Sequence, residues 1–291
     1  VNKKKLISPF KGTYVEPQQS DTHKGIVYLD PTDSTKTCTK ELSDSNVNNY
    51  GKPTGINTGC MKFYIFDDSG DTYKMILDHN TSGSVSWINH DDYIEAGGTE
   101  EDWTAEKYNL QGPVTVTKRL EEDTEGWEGN PRFIRANEVA HIVGADSNDT
   151  IKWSQSKTYG TDDTSTKSSW FYLDGTGTTY SNSNGWQKQV ATTPESSNYA
   201  WLYDYTYKCT GDSTEYGCKY VDNNQYPYET KNSLNEVYIF GYWTKDAVVG
   251  TNNYAWRIDR FGDLTTYDVS NVRICGVRPV IAMNKSYINK N

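Results

Sequence analysis

Hydrophobic and polar positions alternate most clearly late in the chain, over residues 236–283. Aliphatic and aromatic side chains alternate over residues 237–240 with the two-residue period of a half-buried strand. After a polar loop, Trp256 and Ile258 lie on one side of a second strand and Arg257 on the other. The pattern therefore predicts a strand, a long loop, a hairpin and a closing strand.

The second half of this stretch supplies the hairpin and the closing strand. Gly262 offers the turn position that a hairpin needs, and Leu264 begins the outgoing strand. Residues 276–281 predict the closing strand, with Pro279 at a strand end or a bulge because proline cannot donate to the ladder. The predicted solvent side of this framework carries side chains without a common chemical theme: Arg257, Asp259, Arg260, Phe261, Tyr267, Arg273, Ile274 and Cys275.

Earlier parts of the chain predict a mixed α+β content. The predicted strands are residues 25–29, 61–66 and 72–77, the last two flanking a turn at residues 67–71. The predicted helices are residues 99–109 and 137–143, and residues 114–120 fit either a strand or the start of a helix. Asp67, Asp68 and Asp71 could ligate calcium, but turns themselves favour Asp and Gly, and we favour the turn.

Composition narrows the class of protein. Hydrophobic residues make up only 34% of the 291, which by itself is typical of disorder, yet 23 Tyr and 9 Trp supply large buried area. Residues 145–200 are polar but punctuated by tryptophans, which favours long loops pinned by aromatic anchors. The net charge of −10 argues against nucleic acid or an anionic membrane as partner, and no apolar run is long enough to span a bilayer.

Several short segments, in order, resemble a bacterial C-type-lectin-fold family that includes the variable proteins of diversity-generating retroelements. The likeness spans roughly residues 25–285 and is carried by residues 59–64, 76–80, 135–139, 169–174, 200–203, 240–244, 255–258 and 276–280. It implies small twisted antiparallel sheets, one or two helices and long loops. It also implies an arm or linker at residues 1–24, one domain at 25–285 and a tail at 286–291, with a pilin-like helix upstream in related chains.

The resemblance implies a non-enzymatic, receptor- or adhesin-type domain outside a bacterial cell, binding a protein or glycan without a cofactor. Residues 257–275 contain no Lys, Glu, Gln, Met or Trp, the five residues that adenine changes in Asn-type codons cannot produce. This absence fits diversification within residues 244–275. The expected ligand contacts are Asn253, Tyr254, Arg257, Asp259, Phe261, Asp263, Thr265, Tyr267, Asn271 and Arg273. A structural, minor-pilin-like surface subunit is the alternative.

The five cysteines favour disulfides over a metal site, because neither CxxC pairs nor nearby histidines occur. Cys38 and Cys60 flank one polar loop, and Cys209 and Cys218 flank another. We expect these two pairs to form disulfides, which implies an oxidising, extracellular setting, and Cys275 to remain a free thiol.

The hypothesis that the protein is an enzyme is less favoured than a binding function. Formylglycine-generating oxidases share the implied fold and use paired cysteines near the C-terminus, whereas Cys275 lacks a second free cysteine under this pairing. No spaced histidine pair, phosphate loop or nucleophile elbow occurs. Calcium is not expected to support the domain either, since the carboxylate and amide strings of calcium-dependent lectins are missing.

Overall fold

The computed structural model describes residues 10–39, 47–48, 57–78, 80–81, 85–143, 158–159, 170–173, 188–189, 199–202, 208–210, 236–238, 241–248, 252–258, 263–272, 275–288 and 290. These residues form a mixed α+β structure with two larger sheets, two small two-stranded sheets and four α-helices. The α+β class is therefore confirmed.

The first large sheet is antiparallel throughout and has five strands. Its order is β1 (Thr13–Val15), β2 (Ile26–Leu29), β5 (Met61–Asp67), β6 (Thr72–Leu77) and β15 (Val280–Asn284). The predicted hairpin of β5 and β6 is confirmed. Asp67 closes its turn by accepting hydrogen bonds from the amide and hydroxyl of Ser69, as a turn aspartate does. A two-stranded sheet of β3 (Val47–Asn48) and β4 (Thr58–Gly59) lies between β2 and β5 in the chain.

The second large sheet has six strands and contains the predicted C-terminal hairpin. Its order is β7 (Thr158–Tyr159), β8 (Trp170–Leu173), β12 (Tyr242–Val248), β13 (Tyr254–Ile258), β14 (Asp263–Asp268) and β9 (Lys188–Gln189). The β8–β12 pair is parallel and the other pairs are antiparallel. A second small sheet joins β10 (Lys208–Thr210) to β11 (Glu236–Tyr238).

Two expectations for the C-terminal stretch are corrected. Part of the predicted long loop is strand β12, because its buried side chains pack on both faces of the sheet. The closing strand β15 does not join the hairpin; it pairs with β6 in the other sheet and so ties the two sheets together. Pro279 directly precedes β15, at a strand end as predicted.

Four α-helices occur among the described residues, where one or two were expected: α1 (His90–Glu95), α2 (Glu100–Thr104), α3 (Val114–Asp123) and α4 (Ala136–Ile142). The side chain of Asn89 accepts from the Asp92 amide to begin α1, and Thr99 does the same with Asp102 for α2. These local caps explain why two such short helices form. The predicted helix at 99–109 therefore ends early, and a 3₁₀ turn follows at Tyr108–Gln111.

The first and the last described segments of the chain pack together beside the five-stranded sheet. Phe10 is buried, its amide donates to the carbonyl of Tyr287 at 2.7 Å, and it bridges to the buried Ile288. With β1 also in the sheet, the described residues before position 25 dock on this unit as an arm. Ile288, in the predicted tail, is buried in the same unit, and the predicted domain boundaries stay predictions.

Strands β12 and β13 of the six-stranded sheet pack against hydrophobic clusters on both faces. On one face Trp256, Ile258 and Leu264 pack with α4 and Trp201. On the other face Trp243 packs with residues of α1, α3 and the segment before α1. A third cluster fills one side of the five-stranded sheet. Trp243 and Trp256 are fully buried, as predicted.

Arg278 fixes the junction between the sheets. Its side chain is fully buried and donates to the carbonyls of Leu77 at 2.6 Å, Asp78 at 3.0 Å and Trp201 at 2.6 Å. The guanidinium also lies 5.1 Å from the ring centre of Tyr242. One side chain thus joins β6, the turn at Trp201 and the start of β12.

A disulfide joins Cys38 to Cys60, as predicted. The structure describes Cys209 only as part of β10, and Cys218 lies outside the described residues, so their pairing stays a prediction. Cys275 is a buried thiol that is not part of a disulfide. Within the described part of the chain, no helix combines the length and the apolar character needed to cross a bilayer.

Candidate binding face

The register of β13 and β14 decides which predicted contact residues share a surface. Arg257 pairs directly with Thr265, and Ala255 pairs with Tyr267. Residues paired in an antiparallel ladder point to the same side, so Arg257, Thr265 and Tyr267 lie on one face of the sheet. Tyr254 lies on the opposite face, where it packs against the cluster that contains Trp256.

Tyr267 and Val272 stand out by their exposure. Among the described residues they are the large hydrophobic side chains that remain exposed, at 38% and 54%. They lie five positions apart, at the end of β14 and in the turn that follows. We call this surface, formed by Tyr267, Val272 and the half-buried Arg257, the hairpin face.

Arg257 supports the exposed tyrosine from below. Its guanidinium carbon lies 4.8 Å from the ring centre of Tyr267, within the range of a cation–π contact. The same guanidinium donates through Nη1 to the sulfur of Cys275 at 3.8 Å. The buried thiol, the half-buried arginine and the exposed ring therefore form a continuous column that holds Tyr267 in place.

The turn after β14 is fixed by a compact set of hydrogen bonds. Asp268 accepts from the amide and hydroxyl of Ser270 at 2.8 and 2.6 Å. Val269 is buried, its amide donates to the carbonyl of Asn253, and its own carbonyl accepts from the amides of Trp87 and Ile88. A short polar turn with one buried anchor explains how Val272 is held at the surface.

The ten predicted contact residues differ in their exposure to solvent. Tyr267 is exposed, and Asn253, Tyr254, Arg257 and Asn271 are half-exposed. Thr265 is 3% exposed, so it belongs to the framework and the prediction that it contacts a ligand is corrected. Asp263 is described only as the first residue of β14, and Asp259, Phe261 and Arg273 lie outside the described residues.

The structure describes three residues of the predicted solvent side: Cys275 is buried, Arg257 is half-buried and Tyr267 is exposed. Near β12 the same face of the sheet meets the helices α1 and α3. The two-residue alternation correctly separated Trp256 from Arg257, but alternation cannot show whether a second layer covers the other side.

Val272 is the surface residue that the sequence reasoning did not select. It is an isolated apolar residue in a polar segment, which is often incidental. The informative signal is its position, since the preceding Asp268–Ser270 turn fixes the backbone that presents it. An apolar residue placed by such a turn is a better candidate contact than its hydropathy alone suggests.

A separate groove lies between the β5–β6 hairpin and α4, with a cavity volume of about 610 Å³. Its lining residues are Lys24, Phe66, Asp67, Asp68, Ser69, Lys74, Asn137, Glu138, His141 and Ile142. Lys74 is 2.8 Å from Asp67, and Arg132 binds Glu138 through two hydrogen bonds of 2.7 and 2.8 Å. Burial raises the pKa of Asp67, but Lys74 and Ser69 outweigh it and lower that pKa to about 2. The charges around this groove are thus largely satisfied internally.

The electrostatics behind α4 are also structural. Asp246 is fully buried and accepts from Arg135 Nε at 3.0 Å and from the amide of Ala136 at 2.6 Å. Burial raises the pKa of this carboxyl, and the positive charge of Arg135 opposes that rise. Within the described residues, no three side chains of His, Cys, Asp or Glu converge as a metal site would require.

The structure thus brings together Arg257 and Tyr267 from the predicted set, adds Val272 and removes Thr265. Comparisons with protein-family models, with curated proteins and with solved structures find no match to this chain.

Proposed function

We propose that this protein is a non-enzymatic ligand-binding domain of C-type-lectin type, displayed outside a bacterial cell, and that the hairpin face contacts the ligand. The observation that supports it is that Tyr267 and Val272 are the large hydrophobic side chains that remain exposed among the described residues. Exposed apolar side chains that are held in place by ordered neighbours are candidate contacts of an interaction surface.

The physical case rests on rigidity. Tyr267 is supported by Arg257, and Val272 follows a turn whose carbonyl and amide groups are bonded to neighbouring segments. A tyrosine that is already ordered loses little conformational entropy when it binds, and it offers both apolar area and a hydroxyl. Tyrosine and arginine together are typical of the residues that dominate binding interfaces.

The Cys38–Cys60 disulfide supports an extracellular location, because such bonds persist in oxidising compartments. The lectin-type fold and the diversification of residues 244–275 are parts of the same proposal. A reverse transcriptase and a template repeat beside the gene would support diversification, and their absence would remove that part while leaving binding intact.

Binding is tested by screening the purified wild-type domain on glycan and extracellular-protein arrays, and then measuring each hit in solution. We expect Tyr267→Ala and Val272→Asp to weaken a genuine hit by about tenfold or more. Tyr14→Ala is the matched control, since Tyr14 is a half-exposed tyrosine of β1 in the other sheet. Hits that both face variants retain would place the binding elsewhere and overturn the proposal for this face.

A structural subunit predicts a different outcome. If the hairpin face packs against a neighbouring copy, the wild-type domain self-associates in sedimentation experiments and Val272→Asp makes it monomeric. A monomeric wild type that binds an array hit through Tyr267 supports the receptor proposal.

A further inference from the structure

Helix α2 is unusual because none of its five residues is buried, yet it carries a tryptophan. Trp103 is half-buried and lies within a group of rings, with centroid distances of 4.3 Å to Tyr108, 5.1 Å to His90 and 5.2 Å to Tyr93. Tyr93 is fully buried beneath the group, whereas Trp103, Tyr108 and His90 keep accessible surface. Trp103 and Tyr108 therefore pack on the edge of the core while keeping part of their rings accessible, and together they form an aromatic platform.

Carboxylates surround this platform. Residues 90–108 contain seven Asp and Glu residues and one Lys. Asp91 is 98% exposed, and Glu101 and Glu106 are exposed on either side of Trp103 in the chain. We call Asp91, Glu101, Trp103, Glu106 and Tyr108 the acidic aromatic patch.

The nearby lysines are already occupied by other carboxylates. Lys107 pairs with Asp102 at 2.8 Å, and Lys118 pairs with Asp92 at 2.6 Å and with Glu95 at 2.8 Å. Glu101 also acts electrostatically on Lys107, but the seven carboxylates of residues 90–108 outnumber these two lysines, so the described part of this region carries net negative charge.

The carboxylates act on the platform itself. Burial raises the pKa of Tyr108, and the charges of Glu106 and then Asp268 raise it further. Both carboxylates therefore lie close enough to the Tyr108 ring to produce a negative potential there. A cation near this ring would gain from the aromatic face and from the carboxylates together.

The patch adjoins the start of β13. Asn109 donates through its amide to the carbonyl of Asn252 at 2.8 Å and through Nδ2 to the carbonyl of Tyr254 at 3.0 Å. The platform is thus fixed to the sheet that carries the hairpin face, so its orientation does not depend on a flexible tether.

We propose that the acidic aromatic patch is a docking surface for an arginine- or lysine-rich segment of a partner protein, with a cationic side chain on the Trp103 and Tyr108 rings. Charge complementarity selects the occupant: a surplus of exposed carboxylates around accessible rings favours guanidinium and ammonium groups. Carboxylates precede and follow Trp103 in the chain. This spread of negative charge favours binding of a segment with several cationic side chains over binding of a single small ion. The net charge of −10 would also accelerate the approach of such a segment.

The test measures binding of a fluorescent oligo-arginine peptide to the whole domain at low and high ionic strength. The patch variant is Glu101→Gln/Glu106→Gln. The control variant is Glu121→Gln/Glu122→Gln, which removes the same charge from two exposed carboxylates of α3. We expect the patch variant to weaken binding by about tenfold and the control by less than about twofold.

A second variant tests the rings. Trp103→Leu keeps an apolar side chain against the core, and we expect it to weaken peptide binding by roughly fivefold with little change in melting temperature. If this variant fails to fold, the comparison of the Glu101/Glu106 variant with the Glu121/Glu122 variant still tests whether the patch binds the peptide.

Three results would overturn the proposal: no saturable peptide binding by the wild type at low ionic strength, equal losses in the patch and control pairs, or binding of tetramethylammonium at the patch without peptide binding. This proposal does not depend on the hairpin face. Tyr267→Ala should leave oligo-arginine binding unchanged, so failure of one proposal is distinguishable from failure of the other.

Discussion

Trp87 and Trp243 each donate an indole N–H to a main-chain carbonyl in the other's segment. Trp87 Nε1 donates to Thr244 at 3.0 Å, and Trp243 Nε1 donates to Val85 at 2.7 Å. Both side chains are fully buried. The pairing of β12 with β13 shifts register between Trp243 and Ala247, and Thr244 lies within that interval. The reciprocal bonds therefore satisfy a carbonyl beside an irregular part of the sheet while packing two large rings.

We expect Trp87→Phe and Trp243→Phe each to lower the free energy of unfolding by about 2–4 kcal/mol. Each change leaves a buried carbonyl without its indole donor and opens space in the core. Urea denaturation measures the loss, and the double variant should be non-additive by about 0.5 kcal/mol or more because the residues are coupled. Trp103→Phe, in a half-buried ring, should cost less than about 1 kcal/mol. Losses at the two buried positions no larger than this control would contradict the structural role.

Sequence periodicity predicted two antiparallel hairpins. The β5–β6 hairpin and the β13–β14 hairpin follow from alternation and turn residues. Helix α1 was missed because six residues provide less than two turns of periodicity, and its start depends on the cap from Asn89. Strand β12 was missed because it is buried on both faces and therefore shows no alternation.

Topology could not be predicted in the same way. Residues 276–284 follow the hairpin directly, yet β15 pairs with β6, about two hundred positions earlier in the chain. Local pattern carries no information about such a partner. The same limit affected the site: Thr265 has the alternation of a surface residue, yet it is buried.

Arg278 should be intolerant of substitution, including by lysine. Its guanidinium reaches three carbonyls in two segments that are far apart in the chain, and a single ammonium group cannot reproduce that fork. We expect Arg278→Lys and Arg278→Met each to cost about 3 kcal/mol or more in chemical denaturation. Near-complete rescue by lysine would show that positive charge alone, rather than the geometry of the fork, stabilises the junction.

Removal of the Cys38–Cys60 disulfide should lower stability by about 3 kcal/mol. The bond closes a loop with a sequence separation of 22, which sets that value in the chain-entropy model. The double variant Cys38→Ser/Cys60→Ser should melt at a lower temperature than the wild type. A reducing agent should break the Cys38–Cys60 bond of the wild type and lower its melting temperature, whereas the variant has no such bond to lose. An unchanged melting temperature in the double variant would show that the loop is ordered without the bond.

His23 should make the protein sensitive to mild acid. The ring is buried beside Tyr64 and Trp201, and its Nδ1 accepts from the amide of Gly25. Burial lowers the pKa of His23 below its usual value of about 6.5, although Asp21 opposes the shift. Above that usual value both the folded and unfolded states are neutral at this site. As pH falls below it, the unfolded chain binds a proton first, so the free energy of unfolding decreases until the folded pKa is passed.

The comparison variant is His23→Asn, whose side-chain oxygen can still accept from the Gly25 amide. This variant should be less stable at neutral pH because it loses the ring contacts, but its stability should fall less between neutral pH and about pH 5. Melting temperatures across that range test the difference in slope. Parallel curves for the two proteins would mean that His23 does not contribute to the acid response.

The last prediction separates the framework from the hairpin face. Trp256→Ala should cost about 3–5 kcal/mol, because the side chain is fully buried in the cluster with α4. Tyr267→Ala should cost less than about 0.5 kcal/mol. From the sequence alternation alone, Arg257→Ala is expected to cost less than about 0.5 kcal/mol as well. The contacts of Arg257 with Tyr267 and Cys275 raise the expected cost to about 1 kcal/mol.

Thermal and urea denaturation of the three variants need no ligand, so this test precedes any search for a partner. A graded order, with Trp256 first, Arg257 next and Tyr267 last, is expected because burial decreases in that order. If Tyr267→Ala destabilises the protein as much as Trp256→Ala, the ring belongs to the core. Tyr267 would then stabilise the fold instead of contacting a ligand. The hairpin face would in that case lack the residue on which its proposed binding role mainly depends.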